Sequence, residues 1–269
     1  MKQNWVCLFL ATLCLLPASC AIAQAANCKT DRARYVTRND TSIVDDNASE
    51  YKKHFDQIAG ALSQLLAEVT VKRLNTGATA SEITNYLGCV TRADDVPVRE
   101  TPNELTNAPA VLIPQTADPP QAIAATYPLI GYTPDKIWAI APSRPIVQCF
   151  AKNATGWSLI GELGGDYSSH TFSIYPLTSP VPGQSWSLLA GRAIGDTGGR
   201  VLLEVVVCDG KTFTKKWTRP DIEWGEVEVD GNLVLLTYVK IFVNGRRTFS
   251  EDGPIRYSEI LHVTLNGLE

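Results

Sequence analysis

The densest group of side chains that could do acid–base chemistry is acidic, and its members are Asp221, Glu223, Glu226, Glu228 and Asp230. A glycosidase needs two carboxylates across a cleft, one of them kept protonated by apolar surroundings. Glu226, Glu228 and Asp230 instead alternate with valines, which predicts one solvated face of a β-strand. A calcium ion favours several oxygen ligands, but the spacing matches no calcium-binding loop. We therefore expect a solvated strand here.

A second group, Asp166, Ser169 and His170, has the residue types of a catalytic triad. Neighbouring residues on a strand point to opposite faces, so Ser169 and His170 would not face each other there. The chain also lacks a G-x-S-x-G elbow, a P-loop and a G-x-G-x-x-G turn. No catalytic motif and no cofactor is predicted, which favours a binding role over an enzyme.

Four residues are the candidates for ligand contact. Trp217 and Trp224 flank a polar stretch, 218–221, that we interpret as a loop, and exposed tryptophans there would stack on sugars or peptide side chains. Arg246 and Arg247 follow a predicted hairpin turn and could bind a carboxylate or phosphate. The alternatives are a core role for the tryptophans and a solvated hairpin end for the arginines. The predicted partner is a glycan or another extracytoplasmic protein.

The chain has seven cysteines, three of them in the first 25 residues. The remaining four predict two disulfides in an oxidising compartment. Of the three pairings we favour Cys28–Cys89 with Cys149–Cys208, because each bridge then stays inside one composition zone. The alternatives are free buried thiols and metal binding, and metal binding is the weaker, since no C-x-x-C occurs and no histidine lies near a cysteine in sequence.

Residues 1–25 have the features of a secretory signal: a positive start at Lys2, an apolar run at 5–16 and small residues at 21–25. The run is too short to span a bilayer, which takes about 20 residues. No other apolar stretch reaches that length, so no transmembrane span is predicted for the mature chain. The expected location is the periplasm or the medium.

Residues 17–20, Pro-Ala-Ser-Cys, resemble the lipobox of bacterial lipoproteins. The resemblance implies lipid attachment at Cys20. The chain departs from that pattern in having Leu16 one position too early. The alternative is that Cys20 is removed with the signal.

The charge balance excludes one class of partner. Lys and Arg number 24 against 28 for Asp and Glu, a formal net charge of −4. A nucleic-acid binder would usually carry a basic face that displaces phosphate counterions. We therefore predict no nucleic-acid binding.

Residues 26–93 predict a helical hairpin. Apolar residues recur at helical spacing across 49–74, and a core-facing helix is favoured over a coiled-coil seam. A second helix begins at Thr79, where Thr79 and Glu82 have the spacing of a capping box, and we expect Gly88 to end it.

Residues 94–145 hold ten of the 16 prolines. Proline removes a backbone donor and restricts its predecessor, so a long helix or a central strand is unfavourable. We predict a semi-rigid linker with short extended pieces at 110–113 and 137–140 that dock as edge strands.

Residues 146–269 alternate extended runs with hairpin-forming turns such as Asp209-Gly210 and Asp230-Gly231. They predict an antiparallel meander arranged as a sandwich, a barrel or propeller-like blades. The fold class is therefore α+β. We expect an exported, non-catalytic binding module, with a secreted hydrolase or a surface-tethered lipoprotein as alternatives.

Overall fold

The computed structural model describes residues 28–34, 48–91, 110–126, 145–163, 171–195, 198–239, 242–243, 246–247, 249–250 and 253–269. The predicted signal with Cys20, the short piece at 137–140, and the group Asp166, Ser169 and His170 lie outside these residues. The described part contains three helical stretches and mostly antiparallel sheet, which confirms the α+β prediction.

The helical stretches are α1 (28–34), α2 (Ala48–Asn75) and α3 (Ala80–Thr91). The strands, in chain order, are β1 (Ala110–Gln115), β2 (Gln121–Thr126), β3 (Ile146–Asn153), β4 (Gly156–Leu163), β5 (Thr171–Leu177), β6 (Ser185–Gly195), β7 (Gly198–Cys208), β8 (Phe213–Asp230), β9 (Leu233–Val239), β10 (Phe242–Val243), β11 (Arg246–Arg247), β12 (Phe249–Ser250), β13 (Gly253–Pro254), β14 (Arg256–Thr264) and β15 (Gly267–Leu268).

The start of α3 forms as the capping-box spacing predicts. The Thr79 amide donates to the Glu82 carboxylate at 2.8 Å, and the Glu82 amide donates to the Thr79 hydroxyl at 3.3 Å. The Thr79 amide and, at 2.9 Å, the Thr79 hydroxyl both donate to the Glu82 carboxylate, and they lower the pKa of this carboxyl. The expected stop at Gly88 is wrong, because α3 continues to Thr91. Leu87 and Val90 are fully buried there, and this packing outweighs the low helix propensity of one glycine.

A disulfide and a polar cluster hold α1 against the other helices. Cys28 is bonded to Cys89 in α3, with Cα atoms 6.2 Å apart. The Arg34 guanidinium donates two hydrogen bonds to the Glu68 carboxylate, at 3.1 and 2.7 Å. The Tyr86 hydroxyl donates to Asp31 at 2.7 Å, and burial raises the pKa of Tyr86. The three helical stretches therefore form one packed layer.

Strands β1 to β4 form the first sheet, in that spatial order. Every residue of β2 is buried, and so are the first six residues of β3. One face of the sheet, including Ala122 and Phe150, packs on the helices. The other, including Ile123 and Val147, packs on the second sheet. A sheet covered on both faces has near-continuous apolar strands, as in β2 and β3.

Two strands of the first sheet, β1 and β2, come from the proline-rich segment. The edge strand expected at 110–113 is present as β1. Strand β2 lies inside the sheet, between β1 and β3, although two prolines precede it. The predicted boundaries of the proline-rich linker, at residues 93 and 145, stay predictions. Within that segment, β1 and β2 pack as part of the first sheet.

Seven strands form the second sheet, whose spatial order is β15-β14-β9-β8-β7-β6-β5. Chain neighbours are sheet neighbours, apart from the short pairs β10–β11 and β12–β13, so the predicted meander is present. The long strand β8 pairs with β7 along its first part and with β9 along its second. We call β5, β6, β7 and residues 213–222 the near half. We call residues 225–230, β9, β14 and β15 the far half.

A second disulfide joins the two sheets. Cys149 of β3 and Cys208 of β7 are fully buried and have Cα atoms 6.9 Å apart. They lie in a cluster that includes Ile123 and Val147 from the first sheet and Val206 from the near half. Both bridges are therefore those that the sequence analysis favoured.

The two halves of the second sheet pack against each other through one shared face. Their cluster includes Leu188 and Val205 from the near half and Val234 and Leu236 from the far half. The amide of Thr178, just after β5, donates to the carbonyl of Gly231 at 2.9 Å, across the halves. A single sheet must bend sharply to make these contacts, and β8 makes the corner. The described strands form no closed barrel.

Candidate functional site

The corner of β8 places Trp224 in solvent. The pairing of β8 with β9 shifts by one residue between Glu223 and Glu226, which is a β-bulge. Trp224 has φ of 50° in this bulge and is 58% exposed. The next residue must be small, because a Cβ on Gly225 would lie 2.6 Å from Cγ2 of Ile222. A bulky residue at positive φ is strained and is worth a functional explanation.

Trp217 lies in a different environment. It is partly buried and packs against the core between the two halves. Its side chain covers the backbone of Gly267, where an added Cβ would lie 2.4 Å from the Trp217 Cβ. The two tryptophans therefore lie in different settings: Trp217 joins the near half to the far half, and Trp224 projects outward.

For the two arginine candidates, the structure describes the backbone only. Arg246 and Arg247 form strand β11, whose backbone pairs with β10. Their side chains lie outside the described part of the chain. The stretch 218–221, which we expected to be a loop, is part of strand β8.

The three alternating carboxylates lie on a solvated face, as predicted. Glu226, Glu228 and Asp230 are exposed, and the two valines between them are partly buried. In the described residues no group of three His, Cys, Asp or Glu side chains could hold a metal ion. The side chain of Asp221 lies outside the described part.

The strand register places apolar side chains directly beside these carboxylates. Glu228 pairs with Leu235 of β9, and Leu235 pairs with Ile260 of β14. Cross-strand partners share a face, so these side chains form one row. The cross-strand neighbours on either side of this row extend it into a surface that we call the open face. Its residues are Glu226, Glu228, Asp230, Leu233, Leu235, Thr237, Ser258, Ile260 and His262.

The apolar side chains of the open face are poorly covered. Ile260 is 64% exposed, Leu235 37% and Leu233 36%. Seven large apolar side chains are exposed in the described part, and six of them lie in or beside the far half. The other three of those six are Trp224, Ile255 and Leu265. An apolar patch rimmed by polar groups is typical of an interaction site.

On the opposite face of the far half, a charged cluster faces the near half. The Arg219 guanidinium donates to the Glu259 carboxylate at 2.6 Å, and its carbon lies 5.3 Å from the centre of the Tyr238 ring. The Tyr238 hydroxyl also donates to Glu259. Sequence reasoning missed this cluster, because its members are 19 to 40 residues apart and only the strand register brings them together. The cluster joins the two halves.

One further polar cluster lies under helix α2. Gln148 donates to the Ser63 carbonyl at 2.9 Å and to the Glu162 carboxylate at 3.0 Å, and the Ser63 hydroxyl also donates to Glu162. These hydrogen bonds satisfy polar groups buried between the helices and the first sheet. They fix α2 on the sheet.

The comparisons with known proteins add no functional assignment. The chain matches no protein-family model, no curated protein and no solved structure. In the described part of the chain, no helix is both long and apolar enough to cross a membrane. The two disulfides are compatible with an extracytoplasmic protein.

Proposed function

We propose that this protein is a non-catalytic binding module that works outside the cytoplasm and holds a protein partner on its open face. The observation that carries the proposal is the exposure of Leu233, Leu235 and Ile260, at 36%, 37% and 64%, on three paired strands. The solvated face of an antiparallel sheet usually carries polar residues. Covering it would remove apolar surface from water, which is the main favourable term in protein association.

Photo-crosslinking tests the proposal. A benzophenone amino acid replaces Ile260 on the open face, and the matched control carries it at Leu159, which is 40% exposed on β4 of the first sheet. Each protein is irradiated in the native envelope fraction and in culture medium. We expect a discrete adduct from position 260 and none from position 159.

Competition shows whether that adduct is specific to the face. An excess of the unlabelled wild-type chain should suppress it, and an excess of the Leu235→Lys variant should not, because a charge in the apolar row opposes docking. Urea unfolding verifies that the variant is folded. No adduct, equal adducts from both positions, or equal competition by both chains would rule out a partner at this face.

Trp224 supports a second candidate, a glycan. A tryptophan that is 58% exposed presents an accessible stacking surface. A glycan array with the wild type and Trp224→Ala tests this. Binding that depends on Trp224 supports it, and the absence of any binding contradicts it.

Export belongs to the same proposal. Residues 1–25 are proposed as a signal that is removed, with lipid attachment at Cys20 as the alternative route to the cell surface. Mass spectrometry of the mature N-terminus separates the two. A free Gln24 or Ala26 indicates cleavage, a diacylated Cys20 indicates a lipoprotein, and an intact Met1 contradicts both.

A further inference from the structure

The carboxylates of the open face form one column along β8. Glu226, Glu228 and Asp230 occupy alternate positions, so neighbouring carboxylates lie about 7 Å apart along the strand. Within the described residues none of the three forms an ion pair. Like charges at this spacing repel, and a cationic group placed between them would be attracted to more than one.

The apolar column runs beside the acidic one. Leu233 and Leu235 lie on β9, one strand away at about 4.8 Å, and Ile260 lies one strand further. The middle of the described open face is therefore apolar, and a column of three carboxylates follows its β8 border. On the opposite border, β14 contributes Ser258 and His262, with the exposed Arg256 near one end, and the exposed Glu269 pairs with His262.

We infer that the partner segment is a basic amphipathic helix that lies on the open face, an inference that rests on the proposed function. Three strands span about 10 Å between their outer axes, which matches the diameter of one helix. The apolar stripe of such a helix would cover Leu233, Leu235 and Ile260. Lysines or arginines beside the stripe would contact the carboxylate column, and this complementarity sets the orientation.

A second copy of this chain fits the face less well. Two open faces brought together would bury two acidic columns in one interface, and the chain carries a net charge of −4. Burying unpaired charge is costly. A basic partner, in contrast, would pair with the carboxylates of the open face.

Two defined peptides test the inference. Each has about 14 residues, long enough for a helix of about 21 Å, and each has leucines at the same helical positions. The polar positions are lysine in one peptide and glutamate in the other. Fluorescence anisotropy measures the binding of each to the full chain at low and at high salt. We expect the Lys/Leu peptide to bind, the Glu/Leu peptide not to bind, and binding to weaken as salt rises.

Charge reversal makes the test specific. The variant Glu226→Lys with Glu228→Lys and Asp230→Lys should bind the Lys/Leu peptide at least about tenfold more weakly and should gain the Glu/Leu peptide. The neutral variant Glu226→Gln with Glu228→Gln and Asp230→Asn is the second form, for use if the reversed one does not fold. Leu235→Ser with Ile260→Ser should weaken binding of the Lys/Leu peptide by a similar factor.

The outcomes separate this inference from the proposed function. Equal binding of both peptides, or Lys/Leu binding that survives charge reversal or loss of the apolar pair, overturns the basic helix. A crosslinked adduct at position 260 that persists in the charge-reversed chain keeps the partner site and rejects a basic partner. Absence of that adduct from the wild-type chain rejects the proposed function itself.

Discussion

The first sheet and the far half of the second sheet are built from the same kind of antiparallel meander, yet they differ in what covers them. In the first sheet, helices cover one face and the near half covers the other, so β2 is buried at every position. In the far half, the near half covers one face and the open face stays in solvent. A sheet can therefore expose apolar rows when its other face supplies the core.

This comparison separates stability from binding. Buried apolar positions contribute to the free energy of unfolding, whereas exposed ones contribute little to it. Folding does not require Leu233, Leu235 and Ile260 to be exposed side by side, and such a patch is typical of an interaction site. The predictions below test this separation.

The largest expected change in the free energy of unfolding comes from removing the disulfide that joins the first sheet to the near half. Cys149 and Cys208 are 59 residues apart and fully buried. Replacing both with alanine should reduce the free energy of unfolding by about 4 kcal/mol, because the unfolded chain gains the entropy of the open loop. Urea titration of both proteins measures the difference. A loss below about 1 kcal/mol would contradict a structural role for this bridge.

A matched pair of isoleucines comes next. Ile123 of the first sheet is fully buried, and Ile260 of the open face is 64% exposed. Ile123→Ala should cost about 3 kcal/mol through lost burial and a residual cavity. Ile260→Ala should change stability by less than about 0.5 kcal/mol. Equal losses in urea titrations would show that the open face is covered in the free protein.

A substitution at the strained corner of β8 should change the free energy of unfolding by less, and in the opposite direction. Trp224→Gly should raise the free energy of unfolding by about 1 kcal/mol, because glycine adopts positive φ without the clash of a Cβ. Trp224→Ala is the control, since it removes the ring and keeps the Cβ, and it should give no such gain. A glycine variant no more stable than the alanine variant would argue against strain here. Thermal and urea unfolding of both variants measure the effect.

The smallest expected effect is a pH-dependent change in the free energy of unfolding. It concerns the turn after Cys208, in the near half. Hydrogen bonds from the amides of Thr212 and Lys211, at 2.7 and 2.9 Å, lower the pKa of Asp209. A carboxyl with a lowered pKa stabilises the fold above its unfolded value, about 3.9, and this contribution is lost as pH falls through the folded pKa. The stability advantage over Asp209→Asn should hold from pH 7 to about 4 and shrink in more acid solution.

The control for this turn keeps both donors. Lys211→Ala retains its backbone amide, so its stability should depend on pH as that of the wild type does. Urea titrations at several pH values compare the three proteins. An advantage over Asp209→Asn that stays constant into acid would show that the charged carboxylate does not hold the turn.

Much of the fold could be predicted from local patterns. Helix α2 follows from apolar residues at helical spacing, and the solvated face of β8 follows from the alternation around Glu228. The disulfide pairing follows from cysteines that lie in two compositional zones. The first two signals are local, because each depends on residues close together in sequence, whereas the pairing joins cysteines 61 and 59 residues apart and depends on the composition of each zone.

The rest depends on contacts between distant residues. Residues 218–221 contain a proline and an aspartate and resemble a loop, but pairing with β7 extends the strand through them. Helix α3 passes Gly88 because Leu87 and Val90 are buried on their neighbours. The open face requires the register of β8, β9 and β14, which no pattern within a single strand provides.

The most direct test of the account is hydroxyl-radical footprinting of the isolated, folded chain. Mass spectrometry would compare side-chain oxidation at Ile260 and Leu235 of the open face with oxidation at Ile123 of the first sheet, each normalised to the unfolded protein. The account predicts that Ile260 and Leu235 are oxidised at a substantial fraction of the unfolded rate while Ile123 is protected. Protection of Ile260 equal to that of Ile123 would show that the chain covers this face itself, and it would contradict the account.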